Sequence, residues 1–500
     1  MSQTTLTPLN ESARKFISKP KKLFIGGKWV DSVSGKVFET RNPATGEVIT
    51  TVPEGTKEDI DLAVRAARQA FDKGPWRTMK PYDRSKLLLK IANLIEENAE
   101  ELAHLDTLDY GAPLSMTNNF AATSAETFRY YAGWVTKITG STIPVSTPGK
   151  MFNYTLKEPV GVCGQIIPWN APLNMAVWKI SVALATGNTV VLKPAENTPL
   201  SALRLGELIQ EAGVPDGVVN IVTGFGEEAG QALVEHPLVD KIAFTGSTAV
   251  GKKIMQSAAA HVKKVSLELG GKSPHIVFAD ADYEKALQNA SDAVMFNTGQ
   301  ACIAGSRLFV EKKIYDKFMS DLADYAQNNY KLGNGFDPST SLGPLISHRQ
   351  KERVLGYLDI GQEEGAEILV GGDVTEGELK KGYFVKPTVV ANVSNDMRIA
   401  QEEIFGPVVS GIPFEDIDEV IELANQTTYG LGGGVNTTDL RKAHLVSQGL
   451  RTGNVWVNTY TVLDPASPFG GYKQSGLGKE NGAESLDEYW ETMGGWISLD

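Results

Sequence analysis

From about Glu158 onward, continuous apolar runs alternate with segments whose apolar positions recur every three or four residues. Residues 160–169, 188–193, 218–224, 241–246 and 265–269 read as strands. The stretches between them read as helices, one opening at Thr198-Pro199 as a cap followed by a first-turn proline. Apolar strands alternating with helices predict a parallel sheet covered on both faces. A second alternation from Ser273 to about Phe469 predicts another α/β unit.

Before Glu158 the pattern is different. Residues 23–49 predict short strands turning at Gly26-Gly27 and Asn42-Pro43. Residues 56–71 predict an amphipathic helix, with Thr56 as cap, Asp59 three residues on, and Ile60, Ala63, Ala67 and Ala70 as the buried stripe. A longer helical region over 82–110 stops at Gly111. A Gly/Ser/Thr/Pro-rich stretch over 137–156 predicts a projecting hairpin. The tail, 489–500, carries Trp490, Trp496, Ile497 and Leu499, and predicts a strand seeking a partner edge. That edge is read as a subunit interface, with a strand within the same chain as the alternative. The resulting division is a polar arm (1–22), a first α/β domain (23–137 and 159–270), a second (271–484), and a small β element (138–158 with 485–500).

Composition removes several classes of function. A chain of 500 residues has room for two or three domains. Its net charge of −12 leaves no basic footprint, so neither nucleic acid nor an anionic membrane is the expected partner. The most apolar stretch, 180–192, is broken by Gly187 and Asn188 and is too short to span a bilayer. The first 22 residues lack a signal-type apolar core; their basic excess fits a transit peptide poorly, since Glu11 interrupts it and Arg is scarce, and the cytoplasm is expected. Cys163 and Cys302 are the only cysteines, so no disulfide framework is expected, and the six histidines show no metal-ligand spacing.

The chemistry collects after the predicted strands, where open parallel sheets bind ligands. Pro168-Trp169-Asn170 follows the first, Lys193-Pro194-Ala195-Glu196 the second, Gly224-Phe225-Gly226 the third, Phe244-Thr245-Gly246-Ser247 the fourth, and Glu268-Leu269-Gly270-Gly271 the fifth. Gly224-x-Gly226-x-x-x-Gly230 is one residue too long for a dinucleotide fingerprint and serves equally as a turn. Gly246-x-x-x-x-Gly251-Lys252 approaches a P-loop, but Lys253 stands where a magnesium-binding hydroxyl belongs. A helix opening at Gly246-Ser247 still suits a pyrophosphate without metal. Cys302 lies in a glycine-framed polar loop, Gly299-Gln300-Ala301-Cys302-Ile303-Ala304-Gly305, which favours a reactive thiol over a buried apolar one. Cys163, mid-strand, reads as structural.

Taken together the chain resembles the NAD(P)-dependent aldehyde dehydrogenase superfamily, in its hydrolytic, non-CoA-acylating branch. The resemblance runs from Phe24-Ile25-Gly26-Gly27-Lys28-Trp29 to the tail. Its most specific pieces are Leu267-Glu268-Leu269-Gly270-Gly271-Lys272, Gln300-Ala301-Cys302, Glu402-Glu403-Ile404-Phe405-Gly406-Pro407 and Pro468-Phe469-Gly470-Gly471-Tyr472-Lys473-Gln474-Ser475-Gly476. It implies an α/β fold with a Rossmann-like NAD-binding domain, a second, catalytic α/β domain, and a β hairpin with the C-terminal strand serving oligomerisation, as a homodimer or homotetramer.

The resemblance also implies roles. Cys302 is the nucleophile, the Asn170 amide and the Cys302 N–H hold the oxyanion, and Glu268 activates the hydrolytic water. Lys193 and Glu196 face the adenosine ribose, which favours NAD over NADP. Trp169, Gly226, Gly246, Ser247 and Val250 surround the pyrophosphate and adenine, with Ile167, Pro168, Phe244, Leu269 and Gly270 on the same crevice. Glu403 and Phe405 clamp the nicotinamide ribose, joined by Gln350. The substrate wall is assigned to Ala171, Met175, Trp178, Phe296, Ala301, Ile303, Thr461, Leu463 and Phe469. Ala171 stands where relatives commonly carry Phe, and Thr461 and Leu463 where many carry an acid and an aromatic. A roomy apolar pocket is therefore expected, suited to a bulky aromatic or long apolar aldehyde, phenylacetaldehyde-like or retinal-like. A broad aliphatic range or a betaine or semialdehyde substrate is the alternative, and a non-catalytic scaffold a more remote one.

Overall fold

The computed structural model describes residues 6–500. Its first sheet has eight strands in the order Gly476–Leu477, Lys264–Glu268, Lys241–Thr245, Val162–Ile166, Thr189–Lys193, Val219–Ile221, Leu23–Ile25 and Lys28–Val30. The five from Lys264–Glu268 to Val219–Ile221 are parallel. Counted along the chain they stand in the order 5-4-1-2-3, a Rossmann-like arrangement that reverses direction between Val162–Ile166 and Lys241–Thr245. Every residue of Val162–Ile166 and of Thr189–Lys193 is buried, which is why these segments read as continuous runs and not as alternation.

The second sheet runs Glu367–Asp373, Val385–Ala391, Val408–Phe414, Arg307–Glu311, Pro274–Val277, Gly432–Asn436 and Asn454–Val457. All are parallel except the antiparallel edge strand Glu367–Asp373. The two sheets are tied together near the C-terminus. Gly476–Leu477 returns from the second unit and pairs antiparallel with Lys264–Glu268, and Leu269 N–H donates to Ser475 O at 2.8 Å. Hence the edge of the first sheet is completed by residues far from it in sequence.

Local chemistry explains where elements begin. Helix Lys57–Lys73 opens on a full capping box, and the buried Asp59 carboxylate also accepts the Ser32 hydroxyl and the Val33 N–H, so its charge is satisfied. Four segments depart from the sequence reading. The polar arm contains a helix, Glu11–Ser18, capped by Asn10, which buries Ala13 and Phe16; two apolar residues three apart were masked by polar neighbours. The 82–110 region is two helices, Pro81–Glu97 and Ala99–Tyr110, because Asn98 leaves helical geometry and its amide donates to Leu94 O. Thr198 does not cap; helix Leu200–Ala212 starts later, and its first N–H is taken by the Asp109 carboxylate at 3.1 Å. The tail strand Trp490–Ser498 pairs within the chain, antiparallel along all of Met151–Pro159, with Thr142–Ile143 as the third strand. This sheet nevertheless leaves Phe152, Leu156, Trp496 and Ile497 exposed.

Phe16 is 6% exposed and joins the main core of the first unit. Phe16→Ala should therefore destabilise the protein by about 3 kcal/mol, seen as a lowered denaturant midpoint. A change below about 1 kcal/mol would mean that the arm contributes nothing to the core.

Candidate active site

At the strand reversal the chains leaving Val162–Ile166 and Lys241–Thr245 diverge and open a crevice. A cavity of about 570 Å³ occupies it and extends to the Cys302 loop of the second unit.

The thiol loop begins where helix Tyr283–Met295 stops. Asn297 and Thr298 then adopt φ 55°, followed by Gly299 at 71°. Asparagine tolerates this left-handed geometry; a β-branched threonine does not readily, so the turn is held from outside. Thr298 donates its hydroxyl to Gly343 O at 3.2 Å, and Gln300 Oε1 accepts the Ile346 N–H at 2.9 Å. Cys302 emerges half-buried on the cavity wall, whereas Cys163 is fully buried in its strand.

Asn170 reaches this loop from the other sheet. Its Nδ2 donates to Gln300 O at 2.8 Å, while Asn297 Nδ2 donates to Asn170 O at 2.8 Å and to Gln300 O at 3.0 Å. Helix Pro172–Ala185 has Ala171, not Asn170, at its cap position, so the Asn170 amide is committed to the thiol loop. Glu268 ends its strand inside the same cavity, 4% exposed, and neither carboxylate oxygen has a partner among the described residues. Burial pushes its pKa well above the usual carboxylate range; the Glu480 charge adds to this and Lys179 opposes it. Burial likewise raises the Cys302 thiol, reinforced by the negative charges of Glu268 and Glu403.

On the other side of the cavity stand Pro168, Trp169, Glu196, Gly246, Ser247, Leu269 and Gly270. Ser247 caps helix Thr248–Ala258, accepting the Val250 N–H at 3.4 Å, and the positive end of that helix opens here. Gly246 lies against the Phe244 ring, where a Cβ would come within 2.5 Å. Glu403 accepts the Gly271 N–H at 3.0 Å, and burial pushes its pKa up to about 7. Gly270 leaves room for that carboxylate; a Cβ there would lie 2.6 Å from Oε2. Phe405 holds φ 63° and meets the edge of Trp169 at 5.3 Å between ring centroids. An anion-favouring helix end and the carboxylates of Glu196 and Glu403 on the same wall form a donor and acceptor set that fits a dinucleotide.

Not every residue read from the sequence reaches the wall. Ile167 and Phe244 are buried beneath it, Ile167 donating its N–H to Lys193 O. The Lys193 ammonium is buried, bonds Pro194 O at 2.9 Å and sits 3.6 Å from Glu196. Gly226 opens a π-helical turn, Gly226–Gly230, and with Val250 lies exposed outside the cavity lining. Thr461 is also outside it and bonds its own neighbour's carbonyl, Tyr460 O. Gln350 reaches the cavity, but its amide donates to Phe405 O at 2.8 Å and Ile404 O at 3.3 Å. Ala171, Met175, Trp178, Phe296, Ala301, Ile303, Leu463 and Phe469 do form the apolar wall. The sequence reading missed Phe120, Asn174, Asn297 and Arg353, which also line it. Only Asn297 carried a local signal, an Asn-Thr-Gly turn; Phe120 arrives from helix Leu114–Trp134 with no motif around it.

Residues 29–493 match the aldehyde dehydrogenase family model. DhaS of Bacillus subtilis (strain 168), a protein named for this family, is 55% identical over 501 residues, all of both chains. An aldehyde dehydrogenase from Bacillus cereus, solved as its NAD+ complex, is 51% identical with a TM-score of 0.97, covering 99% of this chain and 100% of that one. A betaine aldehyde dehydrogenase from Staphylococcus aureus, also solved with NAD+, is 42% identical with a TM-score of 0.96 over 98% of this chain and 97% of that one. The chain belongs to the aldehyde dehydrogenase family.

Proposed function

We propose that this chain oxidises aldehydes to free carboxylic acids through Cys302, with NAD as its cofactor. The reading is carried by one observation: a half-buried thiol and a buried carboxylate with no partner among the described residues share a single cavity wall. When bound, NAD accepts the hydride that leaves the substrate carbonyl carbon. Glu196 suits its adenosine ribose and disfavours a 2′-phosphate, the end of helix Thr248–Ala258 suits its pyrophosphate, and Glu403 its second ribose.

The chain's own groups then have defined tasks. Cys302 sulfur bonds to the carbonyl carbon as its proton passes to Glu268. The resulting oxyanion accepts from the Cys302 N–H and from the second N–H of Asn170 Nδ2, the first being used by Gln300 O. Loss of hydride restores the carbonyl as a thioester. Glu268 passes the thiol's proton on to solvent and, again a carboxylate, takes a proton from water as its oxygen attacks that carbon; the C–S bond breaks, the sulfur takes that proton back from Glu268, and the free acid leaves.

The substrate half of the cavity supports a bulky aromatic or long apolar aldehyde. Phe120, Met175, Trp178, Phe296, Leu463 and Phe469 line it, with small Ala171 beside Asn170. The exposed apolar sheet of residues 142–159 and 490–498 supports assembly of two or four chains. Two unpaired cysteines support a reducing compartment such as the cytoplasm.

Cys302→Ala should abolish aldehyde-dependent NADH formation, and retained turnover would sink the mechanism. Glu268→Gln should form the thioester but hydrolyse it slowly, lowering kcat by at least about 10²-fold. Since the Glu268 pKa is raised, parent turnover should fall as pH drops from neutrality, before ordinary carboxylates protonate, and Glu268→Gln should flatten that limb. Iodoacetamide should label Cys302 alone, at a rate still rising beyond about pH 9, the ordinary thiol range. In a substrate panel, kcat/KM for phenylacetaldehyde should exceed that for betaine aldehyde by about tenfold or more; the reverse order would overturn the apolar assignment.

A further inference from the structure

Residues 343–357 bond both halves of the site at once. Their first part holds the thiol loop: Gly343 O accepts from Thr298, Pro344 O from Gln300 Nε2 at 3.4 Å, and Ile346 donates to Gln300 Oε1. Ser347 then caps helix His348–Glu363, accepting the Gln350 N–H at 3.2 Å. From that helix, Gln350 donates to Phe405 O and Ile404 O, Arg353 to Glu403 O at 2.6 Å, and Tyr357 to the Glu402 carboxylate at 2.7 Å. Positions 350, 353 and 357 share one helix face. Val354, on the next position, packs so closely on Gly406 that a Cβ there would have no room.

The held segment is not a relaxed one. Phe405 keeps a left-handed φ of 63° without being glycine, a geometry that persists only where surrounding bonds impose it. The two held segments also touch each other, since a Cβ on Gly299 would collide with the Gly406 carbonyl. That contact sets how closely the two can approach, while each is held in place by its own hydrogen bonds to residues 343–357.

We propose that residues 343–357 are a strut setting the position of the Glu403–Phe405 segment relative to Cys302, with Gln300 and Arg353 as positioning residues at its two ends. The inference rests on the roles assigned above to Cys302 and Glu403. Hydride transfer is steep in distance: a displacement of about 1 Å can lower it by about 10²-fold. Arg353 grips a backbone carbonyl, so its loss frees Glu403 to move and also removes a positive charge that holds down the pKa of that carboxylate, a charge that Arg353→Lys retains. The thiol loop, gripped through Gln300 by a different part of the strut, is unaffected.

The test separates a reaction that needs only the thiol from one that needs both ends aligned. p-Nitrophenyl acetate cleavage without NAD reports on Cys302. Oxidation of an aldehyde deuterated at the carbonyl carbon reports on hydride transfer at saturating NAD. For Arg353→Met, KM for NAD should rise about fivefold and the isotope effect on kcat should increase. Arg353→Lys, which keeps a donor, should fall between the two. Tyr357→Phe removes one hydroxyl outside the cavity lining and should keep ester cleavage within about twofold of the parent while shifting KM and the isotope effect in the same direction, by less. Unchanged KM and isotope effect in Arg353→Met, or ester cleavage in Tyr357→Phe falling in step with oxidation, would overturn the strut. Cys302→Ala, run in parallel, should lose both reactions; oxidation that survives in it refutes the underlying mechanism whatever the Arg353 variants do.

Discussion

The bond from Asn170 Nδ2 to Gln300 O joins the end of a strand in one sheet to the thiol loop packed on the other. With the return bond from Asn297, it fixes the two α/β units in the one register where Cys302 meets the cavity. The addition of Gly476–Leu477 to the edge of Lys264–Glu268 acts in the same direction, holding the strand that ends in Glu268. Interfaces between domains of one chain often permit movement. Here the thiol and the carboxylate proposed to react come from different sides, and the seam between the units is stitched by hydrogen bonds.

That arrangement is maintained against local preference. Among the described residues neither the buried Glu268 carboxylate nor the buried Lys272 ammonium has a hydrogen-bond partner, Phe405 and Thr298 hold left-handed backbone, and burial lowers the Lys272 pKa to about 7. Each such feature is unfavourable by itself. All four lie in the cavity wall or within two residues of it, above the fully buried central strands Val162–Ile166 and Thr189–Lys193. Stability built in the sheets offsets strain kept at the site.

What the sequence disclosed follows the same division. Val162–Ile166 and Thr189–Lys193 were legible because burial on both faces leaves continuous apolar runs. The capping box at Thr56 and Asp59 was legible because its partners are three residues apart. Cys302, Asn170 and Glu268 were singled out by strand-end position, loop composition and family likeness, and the fold brings all three to one cavity. What escaped depends on partners distant in sequence. Asp109 replaces Thr198 as the cap of a helix 91 residues away. Gln350 turns its amide to backbone 55 residues on, and Lys193 turns to its neighbouring carbonyl instead of remaining in the crevice. The helix of the arm escaped because its apolar face is only two residues wide.

The sheet formed by Met151–Pro159 and Trp490–Ser498 has a consequence for synthesis. Its bond from Asn153 Nδ2 to Gly495 O spans 342 residues of chain. At about 5–20 residues per second, the ribosome needs on the order of 20–70 s between making the two strands. Throughout that interval Met151–Pro159 waits with an unpaired edge and apolar side chains, in a form prone to pairing with the wrong strand. Nascent chains on one message present identical waiting edges side by side. The rate of elongation past residue 159, and the spacing of ribosomes on the message, thereby become determinants of how much protein reaches the native state.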